Sequence, residues 1–477
     1  MAQPPGSPQA LSVFDMFKIG VGPSSSHTMG PWRAAQRFVN EKVADRLAEV
    51  VSVTVDLYGS LAKTGRGHGT DVAVQLGLGL EDPETIDVST MEKEIERIAT
   101  TKRLDLGRRQ PVTFDPHSDL VFHFKEQLAG HPNALRFTAA FNGGDTVSAV
   151  YYSIGGGFVV EEHESNCKAD YTLPFPIATA TELQSHCASE SLRIADVVWQ
   201  NERSWRSEEE IRLGLKRIRD AMFQSIVRGC RTEGVLPGGL NVHRRAAPMA
   251  RRLLGHAVPN EFQGFLEAMQ SEKPEFPWVL DWVSCFALAV NEENAAFGRI
   301  VTAPTNGAAG VIPAVMAYAK AFCSATEGQC DDFLLTAGEI GCIFKKGATI
   351  SAALGGCQAE IGVSSAMAAA ALTELLGGAA TQATEAAEIA MEHHLGMTCD
   401  PIGGLVQVPC IERNAMGAIK AISAAQLALH RDPAKACVTL DDVVRTMWET
   451  ARDMNAKYKE TSEGGLAVQI PVNVIEC

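Results

Sequence analysis

From Ser207 almost to residue 460 the apolar residues recur at helical spacing, and this periodicity restricts the possible folds more than any other feature. Ile211, Leu215, Ile218, Met222 and Ile226 share one helical face behind a capping box of Ser207 and Glu210. Segments 364–376, 383–394 and 415–430 are rich in alanine and apolar on more than one face. Helices of that kind need cover on several sides, so they belong inside a bundle. Thr439 and Asp442 cap a last helix, predicted to run to about residue 458.

The first half has a different period. Val51, Val53, Val55 and Leu57 alternate with Ser52, Thr54 and Asp56, which predicts a half-buried strand. Further strand-like runs are 111–114, 120–124, 135–141, 147–154 and 158–160. Ser24-Ser25-Ser26-His27-Thr28 stands before Pro31 and a predicted helix over 32–47, the hydroxyl cap and first-turn proline being start signals. The expected fold is an α+β N-terminal domain followed by an all-α helical domain. The parts are a disordered tail at 1–10, the α+β domain at 11–165, a connection at 166–206 with some helix, the helical domain at 207–459, and a tail without helical period at 460–477.

Composition excludes several classes of function. A net charge of −15 argues against a broad nucleic-acid-binding surface. The longest apolar runs, such as 364–372, fall short of the roughly 20 residues of a membrane span, so no membrane association is expected. The N-terminus has no secretory pattern, which predicts a soluble, cytoplasmic protein. In a reducing cytosol its 12 cysteines are thiols or metal ligands rather than a disulfide framework. Cys230, Cys285 and Cys437 read as small hydrophobes on helical faces, and Cys342 as core.

Three other cysteines interrupt the helical pattern. Cys357 follows Gly355-Gly356, Cys399 precedes Asp400-Pro401, and Cys410 follows Pro409; Cys477 is the last residue. The first three are 42 and 11 positions apart, so no C-x₂-C pair suggests a ferredoxin or zinc finger. Two readings stand at this level: buried structural cysteines, or ligands of an iron–sulfur cluster. The wide spacing suits three ligands and an exchangeable fourth position, an arrangement for Lewis-acid chemistry rather than electron transfer.

Together with the motifs at 12–20, 22–28, 58–71, 152–158 and 303–310, the cysteine segments resemble the bacterial-type, iron–sulfur-dependent L-serine dehydratases (L-serine ammonia-lyases) in single-chain form. The resemblance runs from residue 12 to the C-terminus. It implies a [4Fe–4S] cluster on Cys357, Cys399 and Cys410, with Cys477 capping the fourth iron until substrate displaces it. It makes the helical domain the catalytic one and the substrate L-serine, and it suggests a homodimer. A regulatory serine site in the N-terminal domain is also implied, without a location.

Eliminating water from serine needs a base for the Cα proton and help for the departing hydroxyl. His68, between Gly67 and Gly69 on a loop expected to have little side-chain cover, is the expected base; a solvated surface histidine is the plainer alternative. His27 is expected to orient substrate. Ser24, Ser25, Ser26 and Thr28 offer donors for a carboxylate at a helix N-terminus, where simple capping is the other reading. Thr70, Asn142, Gly143, Thr305 and Asn306 complete the expected substrate set. Arg413 or Lys346 can balance carboxylate charge, or form surface salt bridges. Since the motifs come from both halves, the site is expected at the domain interface. Two competing functions remain: a pyridoxal-phosphate dehydratase using Lys63 and the phosphate-sized loop Gly155-Gly156-Gly157, and a non-catalytic sensor whose cysteines form a redox or metal switch.

Overall fold

The computed structural model describes residues 10–164, 172–270 and 273–470. The expected disordered tail lies outside this range up to residue 9, as does Cys477.

The N-terminal part is built on one sheet. Its central strand, Val50–Tyr58, turns Val53, Val55 and Leu57 into the core, as the alternation predicts. Val51 is exposed and Val50 buried instead, because the pairing register shifts between Val50 and Ser52. Asn133–Phe141 pairs with it antiparallel, followed outward by Thr146–Ser153 and Val159–Glu161. On the other side Gln110–Thr113 and Leu120–His123 run parallel to successive parts of the central strand. Arg103–Leu106, which periodicity did not mark, pairs with Gln110–Thr113. Helices Gly30–Phe38 and Thr70–Leu78 pack together, and Phe38 stacks on Phe137 of the sheet at 5.2 Å between ring centroids. The helix expected at 32–47 instead begins as a π-turn at Ser25–Met29 and ends its regular α part at Phe38.

Beyond Glu164 the described residues are helical and loop, apart from the short strand Arg299–Val301. Glu208–Arg231 starts at the Ser207 capping box. Ile361–Leu375 lies at the centre, with every residue buried from Ile361 to Glu374, against Glu327–Gly347, Ala380–Glu392 and Cys410–Leu429. Small alanine side chains let four helices approach one another here, which explains the apolar character on several faces. Ala180–Glu190 and Ile194–Glu202, inside the presumed connection, join this same core. The last helix is shorter than predicted. It ends at Asp453, and only the short turns Ala456–Tyr458 and Gly465–Val468 follow among the described residues, the second inside the tail expected to have no helical period.

Three devices fix the halves together. Leu11, Val13, Met16 and Phe17 pack into the helical core. The buried Glu202 carboxylate accepts from the Ser12 hydroxyl and the Val13 amide, each at 2.8 Å. Strand Ile19–Val21 pairs with Arg299–Val301, so the segment leading to Ser24 is clamped to the helical body.

Candidate active site

Cys357, Cys399 and Cys410 are all buried at one end of the helical body. Cys357 lies in the short turn between Ala352–Gly355 and Ile361–Leu375. Gly356 before it takes φ +71°, and a Cβ there would sit 2.7 Å from the Met397 carbonyl, so only glycine lets this turn reach the Cys399 loop. Cys410 is the first residue of the helix Cys410–Leu429. Asn414, one turn on, donates to the Cys410 carbonyl at 2.9 Å and to the Gly307 carbonyl at 2.8 Å. This ties the Thr305–Gly307 turn to the cysteine helix.

The Sγ atoms of Cys357 and Cys399 and a carboxylate oxygen of Glu360 lie within 4.8 Å of one another. Arg413 bridges this group, donating to the Thr398 carbonyl at 2.6 Å and approaching Asp400 at 3.4 Å. A hydrogen bond from Cys399, helped by the Arg413 guanidinium, lowers the Cys357 thiol to about 7. Burial raises Cys410, and burial and the Cys357 charge raise the Glu360 carboxyl to about 8. Arg413 in turn is held fully charged, chiefly by the cysteines. Thiols, apolar walls and one guanidinium form a donor set suited to a metal centre of negative charge.

The two histidines come to this end from the other half. Their rings lie 4.6 Å apart between centroids, tilted by 31°, and both are buried. His68 is therefore covered, contrary to the exposed loop expected for it. Gly67 and Gly69 do not open the loop but let it pack: a Cβ at Gly67 would stand 2.7 Å from the Gly404 carbonyl, and one at Gly69, at φ +64°, would collide with the Phe297 ring. The Nδ1 of His68 faces the Thr64 carbonyl at 2.9 Å. A carbonyl only accepts, so Nδ1 carries the proton and Nε2 is the free base. Burial lowers the His68 ring to about 4, which keeps it neutral.

The same logic fixes His27. Its Nε2 lies 3.0 Å from both Ser60 and Thr64 hydroxyls, whose protons go to the carbonyls of Glu460 and Ser60. Nε2 must therefore donate, and Nδ1 accepts from Ser26 at 2.9 Å. Burial and the neighbouring His68 hold this ring well below the usual imidazole range.

Glu460, which sequence reasoning missed, sits between the histidines and the cysteines. Its amide donates to the Cys399 carbonyl at 2.9 Å, and the Cys399 amide donates to Tyr458 at 2.8 Å. Its Oε1 lies 3.5 Å from His27 Nδ1 and 3.9 Å from His68 Nε2. The only available signal was that the helical period stops at this residue.

The other expected residues divide into two groups. Ser24, Ser25, Ser26, Thr28, Thr70, Thr305 and Asn306 are buried around the histidines and cysteines. Within that group Thr28 and Thr70 donate to the carbonyls of His68 and His27 at 2.7 and 2.6 Å, so their hydroxyls position the two loops. The Asn306 amide donates to Val21 at 3.0 Å. Asn142 and Gly143, by contrast, are exposed in the hairpin between Asn133–Phe141 and Thr146–Ser153. The register pairs Ala134 with Tyr58, beside the site, and Phe141 with Val50 at the opposite end, about 25 Å away along the strand. Asn142 and Gly143 thus lie apart from the histidines and cysteines. Lys346 is bound to the Ile177 carbonyl and to Glu339, and Lys63, the lysine of the pyridoxal-phosphate alternative, is paired with Glu463 at 2.8 Å. Cys230, Cys285 and Cys342 are core, whereas Cys437 is exposed in the loop before Leu440–Asp453, not on a helical face.

Comparison with known proteins agrees with this division of the chain. Residues 12–164 match the model of the serine dehydratase beta chain, and residues 189–467 that of the serine dehydratase alpha chain. The L-serine dehydratase of Streptomyces coelicolor is 47% identical over 98% of this chain and all of its own. L-serine dehydratase 2 of Escherichia coli is 47% identical over 96% and 99%, and the L-serine dehydratase of Helicobacter pylori 43% identical over 96% and 98%. With both halves matched in one polypeptide, and their contributions meeting at one buried site, the chain belongs to the serine dehydratase family as an enzyme that joins the beta and alpha parts in a single chain.

Proposed function

We propose that this enzyme is an L-serine ammonia-lyase, converting L-serine to pyruvate and ammonia through aminoacrylate, with a [4Fe–4S] cluster held by Cys357, Cys399 and Cys410. The observation that carries the reading is the meeting of a neutral, buried histidine pair from one half with three buried cysteines from the other. The cluster would supply a Lewis-acid iron for the hydroxyl and carboxylate oxygens of serine. His68 Nε2, unprotonated and facing Glu460, is placed to take the Cα proton. His27 holds the Ser60 and Thr64 hydroxyls and so fixes the loop that carries His68. The π-turn Ser25–Met29 runs directly into Gly30–Phe38, giving the Ser24–Ser26 segment the amide ends of a helix for the substrate carboxylate. Arg413 offsets the negative charge of the thiolates.

Cys477 would cap the exchangeable iron. Leu466 is anchored to Asp400 by a 2.6 Å hydrogen bond, next to Cys399, and the eleven residues from there to Cys477 are ample to return to the site. Ten free cysteines among the described residues favour a reducing cytoplasm, and no described helix is long and apolar enough to cross a membrane. A homodimer is proposed from the family resemblance alone.

Anaerobic purification tests the reading. The protein should be brown, bleach in oxygen, and form pyruvate from L-serine in proportion to its iron. Full activity in iron-free protein, or no pyruvate from iron-loaded protein, would refute it.

A further inference from the structure

The mechanism above leaves the buried carboxyl between the histidines and the cysteines unused. Glu460 is 4% exposed and takes φ +59°, a left-handed conformation that a residue with a Cβ rarely adopts. The backbone holds it there from both sides: its amide is bonded to Cys399 of the helical domain and its carbonyl to the Ser60 hydroxyl of the N-terminal domain, at 2.9 and 3.0 Å. Farther along, Ser462 donates to the Pro401 carbonyl at 2.8 Å. Such local strain persists where the surroundings impose it, and here they aim one carboxyl into the site.

The Ser26 hydroxyl is the one side-chain donor to that carboxyl. Its Oε2 is buried and makes no hydrogen bond. Among the described residues it pairs with no lysine or arginine; the groups within ion-pair distance are His27 and His68. The hydrogen-bond assignments above make the two ring nitrogens that face it, His27 Nδ1 and His68 Nε2, acceptors as well. Carboxyl oxygens and two imidazole lone pairs therefore converge with no cation among them. The Ser26 hydroxyl has one proton for this corner, which leaves Glu460 Oε2 and His68 Nε2 without a donor, a costly arrangement unless a ligand brings more.

Resting on the reading of the reaction as serine dehydration, we infer that Glu460 is the residue that recognises the α-ammonium group of the substrate. An ammonium carries three N–H donors and a positive charge, the complement of this corner. Placed against Glu460, it sets the adjacent Cα beside His68 Nε2 while the carboxylate and hydroxyl point toward the cysteines. Glu460 then selects a 2-amino acid over the hydroxy acid of the same shape.

The test uses the anaerobic, iron-loaded full-length enzyme and compares L-serine as substrate with 3-hydroxypropanoate, serine without its amino group, as competitive inhibitor. In the wild type KM for L-serine should lie at least tenfold below Ki for 3-hydroxypropanoate. Glu460→Gln should raise KM about 10- to 100-fold, the range for losing a charged hydrogen bond, while Ki stays within about twofold. Glu460→Asp, which keeps the charge, should recover part of the loss. Iron per chain and melting temperature check that both variants are folded and loaded. A Glu460→Gln enzyme that retains the wild-type preference, or that loses kcat at unchanged KM, overturns the assignment. Wild-type enzyme inactive on L-serine would instead overturn the proposed reaction, so the two failures are distinguishable.

Discussion

At the scale of single residues, the chemistry depends on which nitrogen of each histidine is free. The Thr64 carbonyl settles this for His68, and burial keeps the ring neutral down to about 4. His68→Ala should therefore lower kcat by about 10²- to 10⁴-fold, the usual contribution of a general base, with iron content and visible spectrum unchanged. Near-normal turnover would remove His68 as base. The candidacy of His68 was legible in its motif, but its surroundings were not. Flanking glycines suggest exposure, whereas here they permit contact with Gly404 and Phe297, residues far away in the chain. Glu460 illustrates the same gap more sharply. A single glutamate after the last helix has no local signature, and its meaning comes from hydrogen bonds to Cys399 and Ser60.

At the scale of elements, loops do the positioning while helices and strands hold them. The His68 loop enters the helix Thr70–Leu78 through Gly69 in the left-handed conformation. Gly69→Ala should cost on the order of 1–3 kcal/mol, from backbone strain and the clash with Phe297, measurable as a lower urea midpoint. An unchanged midpoint would mean that the loop relaxes freely. The segment after the last helix belongs to this scale too, since it is fastened at Cys399, Pro401 and Asp400. If the tail beyond it caps the iron, Cys477→Ala should retain iron but bleach faster in air; loss of iron, or wild-type oxygen tolerance, would speak against a cap.

For the molecule as a whole, the join between halves contains a carboxylate where apolar packing would be the simpler choice. Burial raises Glu202 to about 7, despite its bonds to Val13 and Ser12. A carboxyl raised in the folded state favours folding fully below its unfolded pKa, roughly 4.3, and loses that contribution as pH rises toward 7. The wild type should thus lose more stability than Glu202→Gln between pH 4.5 and 7, by up to about 3 kcal/mol. Melting temperatures of the two proteins across that range check the difference in slope, and parallel curves would assign the titration elsewhere.

By itself, the sequence determined the order of the two architectures, the strand alternation, the alanine-rich bundle and the three cysteines at helix breaks. Each rests on periodicity or on glycine and proline, whose effects act within a few residues. Only the tertiary structure decided which residues meet. It moved Asn142 and Gly143 to the far end of the sheet, buried His68, and placed the N-terminal residues 11–17 in the core of the helical half. Those outcomes depend on contacts between segments hundreds of residues apart, and hydrophobic pattern, which is local and non-directional, does not encode them.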